Sequence, residues 1–366
     1  MEFLMPDYVR EVLSRLKSGG FSAYLVGGCV RDTLLGRPVH DWDVATAARP
    51  EDTERLFERT APTGARYGTV TALCGEHSVE VTTFRRDGAY TNSRSPESVD
   101  FIAELAGDLA RRDFTVNAMA VSEDGALTDP FGGRADLRSG VLRAVGDPEA
   151  RFTEDALRIL RAYRFSAQLG FVIEERTLAA AKKLAHLTGA LSRERVRDEI
   201  EKILLSPRPE LAGELVGADA SSLAALPCDR LSRWAALCAK MPFPEAFLRG
   251  LRLDNETIRA CVSGVRCAEP WDMLAAKRAV AAYGERAARC AEAINGRALG
   301  LVDEILESGA CCTLKQLAVT GEDLLALGFP PDRTLGARLA RLLDYVIENP
   351  AENDREKLLA LAQNEL

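Results

Sequence analysis

A chain of 366 residues, 47% hydrophobic and 28% charged, is too long for one small core and is expected to form two or more domains. No run approaches the ~18 uninterrupted apolar residues of a membrane span, and the opening MEFLMPDYVREVL lacks the basic-then-apolar order of a signal peptide, so a cytoplasmic protein without a membrane partner is expected. A formal charge of −8 argues against a uniformly basic surface, and three histidines with nine scattered cysteines and no CxxC pair argue against zinc.

Residues 7–18 (DYVREVLSRLKS) have the apolar spacing of an amphipathic helix, ended by Gly19 and Gly20. AYLVGG (23–28) reads as a short strand running into Gly27 and Gly28, and CVRDTLLG (29–36) as a short helix closed by Gly36. HDWDVAT (40–46) reads as a strand, followed by a helix over 51–59 that Pro50 can start. TVTALC (69–74) and SVEVTTF (78–84) form an expected β-hairpin, and strand signals return at TVNAMAVS (115–122). From residue 153 nearly every segment is helical, broken at SPRP (206–209), MPFP (241–244) and GFPP (328–331). The expected fold is α+β, a mixed-sheet head followed by a long all-α remainder.

Asp is disfavoured in strands, yet Asp41 and Asp43 flank Trp42 in HDWDVAT. Side chains alternate along a strand, so both carboxylates would share a face with Trp42 on the other, toward the core. Such a pair suits magnesium, which takes a few carboxylate oxygens and keeps other positions for water and phosphates. Two-metal phosphoryl or nucleotidyl transfer needs carboxylates converging on one spot, and Glu80 in SVEVT is the candidate third, with Val79 and Val81 turned inward. Taken alone, a bare D-x-D reads first as the cap of a turn after His40. GGCVRD (27–32) adds a glycine turn whose backbone could hold a triphosphate, with Arg31 as a charged contact and Asp32 to orient it or to cap the turn.

GG-x-VRD followed closely by D-x-D resembles the nucleotidyltransferase superfamily represented by DNA polymerase β. LVGGCVRDTLLGRPVHDWDVAT (25–46), RRDFTVNAMAV (111–121), EDALRILRAYRF (154–165) and LSRERVRDEIEKIL (191–204) are similar to successive motifs of the class II tRNA nucleotidyltransferase and bacterial poly(A) polymerase family. The resemblance thins through 210–310 and returns in 317–347. It implies a nucleotidyltransferase head (1–140), a helical neck (141–205) that recognises the base, a helical body (206–310) and a tRNA-binding tail (311–366). The implied substrates are CTP, ATP and the acceptor arm and 3′ end of tRNA, with two magnesium ions on Asp41 and Asp43.

The neck helix can be read from its residues: Thr153 as N-cap, Glu154 and Asp155 in the first turn, and Asp155, Arg158, Arg161 and Arg164 near one face. A surface salt-bridge ladder is the plain alternative. The resemblance implies instead that Asp155 and Arg158 hydrogen-bond the Watson–Crick edge of C or A, with Arg161 and Arg164 on the triphosphate or stacked on the base. In RRDFTVNAM it implies Arg112 as the nucleotide contact and Arg111 as its alternate, with Asp113 and Asn117 orienting the arginines and the sugar; a solvated Arg pair is the alternative. RRDGAYTNSRSPESVDF (85–101) resembles the family's flexible loop at Arg86, Asp87, Gly88, Tyr90, Arg94 and Pro96. It departs from the pattern at Asn92, Ser93 and Ser95.

The leading expectation is CCA addition to tRNA. CC-only, A-only and poly(A) synthesis are alternatives within the class, and a non-catalytic RNA-binding protein is the alternative outside it. No stretch of the sequence marks an oligomer interface.

Overall fold

The computed structural model describes residues 3–87, 90–91, 95–96, 99–267, 270–296 and 300–364. The chain divides into two compact units, residues 1–199 and 200–366. Among the described residues no helix is long and apolar enough to cross a membrane.

In the first unit α1 (Asp7–Ser18) buries Val9, Val12, Leu13 and Leu16, the spacing that made it readable. β1 (Ala23–Val26) passes into α2 (Gly28–Leu34) through Gly27, whose φ of 76° is left-handed, a region glycine enters without steric cost. β2 (Asp43–Thr46) and α3 (Pro50–Leu56) follow, with Pro50 in the first helical turn. α3 stops short of residue 59 because Phe57 is extended and buried.

β3 (Thr60–Gly64), β4 (Thr69–Cys74) and β5 (His77–Thr83) run antiparallel in sequence, with the expected β4–β5 hairpin turning at Gly75 and Glu76. β6 (Arg85–Asp87), β7 (Tyr90–Thr91), β8 (Ser95–Pro96) and β9 (Val99–Phe101) form two small antiparallel pairs, β6 with β9 and β7 with β8. After α4 (Leu105–Ala110) come β10 (Ala120–Val121) and β11 (Leu127–Thr128).

The main sheet has seven strands in the order β11-β10-β1-β2-β5-β4-β3. Only β2 and β5 pair in parallel, with Asp43 opposite Glu80. Val44, Val79 and Val81 are fully buried and Trp42 nearly so, as the alternation predicts.

Two strand expectations need correction. The strand in HDWDVAT begins at Asp43, and Asp41 lies in the preceding loop. The physical reason is β1: it pairs with β2 only as far as Leu25 opposite Val44, and then turns away at Gly27. The carboxylate end of β2 therefore projects beyond its neighbour. In TVNAMAVS only Ala120 and Val121 are strand; Thr115–Asn117 is a 3-10 turn. There the Asp113 carboxylate accepts from the Phe114 N–H and Asn117 Nδ2, and Thr115 donates to Asp136 at 2.7 Å, so side chains curl the backbone off the ladder.

The unit continues through α5 (Gly133–Ser139), β12 (Val141–Leu142), α6 (Pro148–Glu154), α7 (Leu157–Leu169), β13 (Val172–Ile173) and α8 (Glu175–Lys183) into α9 (Arg193–Leu204), whose residues from 200 on are counted in the second unit. β12 and β13 pair in parallel, a small departure from the all-helical expectation after residue 153. Thr153 is not an N-cap: it sits in the last turn of α6 and donates to the Glu149 carbonyl, while Asp147 caps that helix.

The second unit is helical: α10 (Ala212–Val216), α11 (Arg230–Cys238), α12 (Pro244–Gly250), α13 (Asn255–Arg266), α14 (Met273–Tyr283), α15 (Glu285–Asn295), α16 (Leu301–Glu307), α17 (Gly321–Ala326), α18 (Arg333–Glu348) and α19 (Arg355–Asn364). The side chains of Asp229, Asp254, Asp272, Thr320 and Asp332 cap α11, α13, α14, α17 and α18, satisfying N–H groups that a helix start leaves open. Trp234 is fully buried. A Cβ on Gly264 of α13 would come within 2.4 Å of Cys290 Cβ on α15, so these helices touch backbone to backbone. A separate cluster of Leu317, Val319, Leu324, Leu342, Val346 and Leu358 forms the core of the C-terminal end.

Candidate active site

Because β1 peels away at Gly27, the N-terminal end of β2 opens onto a polar recess. Asp43 enters it from β2, with Asp41 on the loop before and Glu80 at the paired position of β5. Arg112 meets them from the far side of the turn: a Cβ on Gly27 would stand 3.0 Å from Arg112 Nη1 and 3.6 Å from Asp43 Oδ2. Burial raises the Asp43 carboxyl to about 6, and the charges of Glu80 and Asp41 add to this, while Arg112 opposes it. Among the described residues, no three His, Cys, Asp or Glu side chains converge tightly enough to hold a metal ion. Glu80 thus lies beside Asp43 without closing a three-carboxylate cage. The donor chemistry of Asp41 and Asp43 still fits a hard cation, since close, mutually repelling carboxylates are what a divalent ion relieves.

A chain of side chains leads from this recess to α7. Arg31 donates Nε and Nη2 to Asp32 at 2.9 and 2.7 Å, the orienting contact expected of Asp32, and Nη1 to Asn117 Oδ1 at 2.6 Å. Asn117 donates to Asp113 at 3.0 Å, and Arg161 donates Nε to the other Asp113 oxygen at 2.8 Å. The guanidinium carbons of Arg31, Arg161 and Arg164 lie 5.1, 5.0 and 4.0 Å from the centre of the Phe165 ring, within cation–π range. Arg164 is buried against Glu199, Nε to Oε2 at 2.6 Å. Gly27, Gly28, Arg31, Asp32, Asp113, Asn117, Arg161 and Arg164 thus belong to one continuous framework.

Asp155 and Arg158 do not share a helical face. Asp155 is extended between α6 and α7, its Oδ1 accepting from the Leu157 N–H at 3.0 Å and its Oδ2 3.6 Å from Arg195. Arg158, in the first turn of α7, is nearly buried. Its Nη1 donates to Glu154 Oε2 at 2.7 Å and the Arg151 carbonyl at 3.0 Å, and its Nη2 to the Arg111 carbonyl at 2.9 Å. Of five guanidinium protons three are engaged, leaving Nε–H and one on Nη2.

Sequence reasoning read Phe165 as a packing residue and passed over Glu199 and above all Asp108. Asp108 is fully buried on α4 and accepts from Arg111 and Arg112. The i, i+3 and i, i+4 spacing of GDLARR carried that signal. In the expected flexible loop, Arg86 is exposed on β6, paired with Asp100. Asp87 ends β6 opposite Val99, and Tyr90 begins β7 opposite Pro96. Arg94, like Gly88, Asn92 and Ser93, lies outside the described residues.

Comparison with known proteins gives three consecutive family matches. Residues 23–143 match the model described as Poly A polymerase head domain, 170–215 one described as an RNA and SrmB binding site of polymerase A, and 229–362 one described as tRNA nucleotidyltransferase domain 2. The CCA-adding enzyme of Limosilactobacillus fermentum is 38% identical, over 96% of this chain and 95% of its own. That of Enterococcus faecalis is 35% identical, over 97% and 95%. The crystal structure of the Bacillus stearothermophilus CCA-adding enzyme in complex with CTP superposes with a TM-score of 0.79 at 33% identity, covering 98% of each chain.

Proposed function

Because the chain belongs to the family of CCA-adding enzymes, we propose that it adds C, C and A to the 3′ end of tRNA from CTP and ATP, by template-independent nucleotidyl transfer with release of pyrophosphate. The observation that carries this reading is the meeting of Gly27, Asp43 and Arg112 at one point: a turn without a side chain, a carboxylate and a guanidinium are what a nucleotide's phosphates need. The 1–140 head, 141–205 neck, 206–310 body and 311–366 tail describe the division of labour, with tRNA held by its acceptor arm and 3′ end. We place the reaction in the cytoplasm.

Asp41 and Asp43 would hold two magnesium ions, with Glu80 alongside. When bound, these ions supply activation of the terminal 3′-hydroxyl and charge relief for the leaving pyrophosphate. Gly27 and Gly28 leave room for the phosphates, and Arg112 meets their charge. Asp32, Asn117 and Asp113 keep Arg31 and Arg161 pointed, with Arg164 stacked behind them on Phe165. Arg158 presents Nε–H and its spare Nη2 proton to the acceptors of C or A, and a remaining lone pair of the Asp155 carboxylate accepts from the exocyclic amine. U and G offer the wrong pattern and would leave buried donors unpaired, which a polar site rejects strongly.

The test is incubation with tRNA lacking CCA, ending in C, or ending in CC, with products resolved on a gel. Completion of all three to a single terminal A is expected. Arrest after CC would favour the CC-only alternative, to which the departures at Asn92, Ser93 and Ser95 point. Extension past one A would favour poly(A) synthesis, and no extension a non-catalytic RNA-binding protein.

A further inference from the structure

A carboxylate without solvent exposure is costly unless charged partners surround it, and Asp108 has two. Oδ1 accepts from Arg111 Nε at 2.9 Å and lies 3.4 Å from the Arg85 backbone nitrogen; Oδ2 accepts from Arg112 Nη2 at 3.2 Å. Burial raises its pKa, but Arg112 and Arg111 lower it further, so the group is held ionised below the usual carboxylate range.

What each partner does next is informative. Among the described residues the Arg112 side chain donates only that one hydrogen bond, and its Nε is buried without a partner; Nη1 faces the Gly27 turn beside Asp43. A buried donor left open in a recess is a place prepared for an acceptor. Arg111, through its carbonyl, receives Arg158 Nη2 at 2.9 Å. Arg85 opens β6, which leads into the loop expected beside the site. One buried carboxylate therefore sets the phosphate-facing arginine, the carbonyl that seats the base-reading arginine and the root of the loop.

We propose that Asp108 is a positioning residue for nucleotide binding: by neutralising one of two adjacent guanidinium charges it aims Arg112 at the triphosphate beside Gly27, and it fixes Arg111 as the seat of Arg158. This rests on reading the chain as a nucleotidyltransferase. Asp108 touches neither substrate nor reacting atoms and acts through Arg112.

The test uses the full chain and CTP alone, measured by calorimetry, with steady-state KM for CTP, ATP and tRNA alongside. In Asp108→Asn, CTP affinity is expected to fall about tenfold or more, corresponding to about 1.4 kcal/mol. KM rises for CTP and ATP while KM for tRNA stays within about twofold. In an Arg112→Ala background the same change should add less than about twofold, as residues acting in series do. A purely structural role would lower the active fraction and leave every KM in place, which would overturn the proposal. Should Asp108→Asn not unfold cooperatively, Asp108→Ser takes its place; loss of fold in both assigns Asp108 to structure alone and overturns the proposal. Wild-type protein that binds no CTP would overturn the nucleotidyltransferase reading itself. Wild-type binding with an unchanged affinity in Asp108→Asn would overturn only the positioning role.

Discussion

Arg161 donates both Nε and Nη2 to a single oxygen of Asp113, at 2.8 and 2.5 Å, while the other oxygen takes Asn117 and the Phe114 N–H. Burial pushes the Asp113 carboxyl up, but Arg161, Asn117 and the Phe114 N–H more than reverse this and hold it at about 2, against an ordinary 3.8. A carboxyl lower in the folded than in the unfolded state stabilises the fold above the unfolded value. That contribution, on the order of 2 kcal/mol, is lost as pH falls from about 4 through 2. Asp113→Asn should lower the melting temperature at pH 7, and the two proteins should converge near pH 2. A constant gap between their melting curves from pH 7 to 2 would contradict the assignment.

Gly27→Ala tests the phosphate recess without touching a charge. The φ of 76° strains any side chain, and the new Cβ would stand 3.0 Å from Arg112 Nη1. At φ 76° and ψ −134° a side chain is strained by about 1–3 kcal/mol, which a protein of this size tolerates. Affinity for CTP and ATP should fall by about tenfold or more, with tRNA binding preserved, by calorimetry and gel shift respectively.

Arg158→Ala removes the two donors left for the base while also freeing the Glu154 carboxylate and two carbonyls. Incorporation of C and A should drop, and preference over U should shrink by about 100-fold, because polar readout of this kind supplies discrimination at or above that level. Competition assays with mixed triphosphates measure this. Unchanged preference with a uniformly slower rate would place base reading elsewhere.

In the second unit, Gly264→Ala should be strongly destabilising. Its Cβ would lie 2.4 Å from Cys290 Cβ and 2.9 Å from the Ala291 nitrogen, so α13 and α15 must separate rather than a side chain move aside. Overpacking costs about 1–3 kcal/mol and more where backbone is the obstacle, read as a drop in the thermal midpoint.

Local pattern made much of this legible. The α1 spacing, the Gly27 turn and the β4–β5 hairpin follow from periodicity and turn chemistry within a few residues, whereas the Asp43–Glu80 register comes from the parallel pairing of β2 with β5. The helical tail followed from the same kind of signal, aided by its capping side chains. Partner choice between side chains was not legible. Glu154 and Asp155 are adjacent, and nothing local says that Arg158 takes the one four residues back while Asp155 turns to cap α7. Likewise, Asp41 left the strand because β1 diverges, a fact of the neighbouring chain. Asp108 stood in plain sight beside two arginines, but its burial comes from the packing of α4 and could not be read from GDLARR.

The most direct measurement is transfer of CMP to a tRNA lacking its 3′ CCA by the Asp41→Ala/Asp43→Ala double variant, with tRNA binding followed by gel shift. These carboxylates are the ones assigned to the reaction centre. Transfer should vanish while the protein stays folded and binds tRNA as the wild type does. Transfer that persists in the folded double variant would contradict the account.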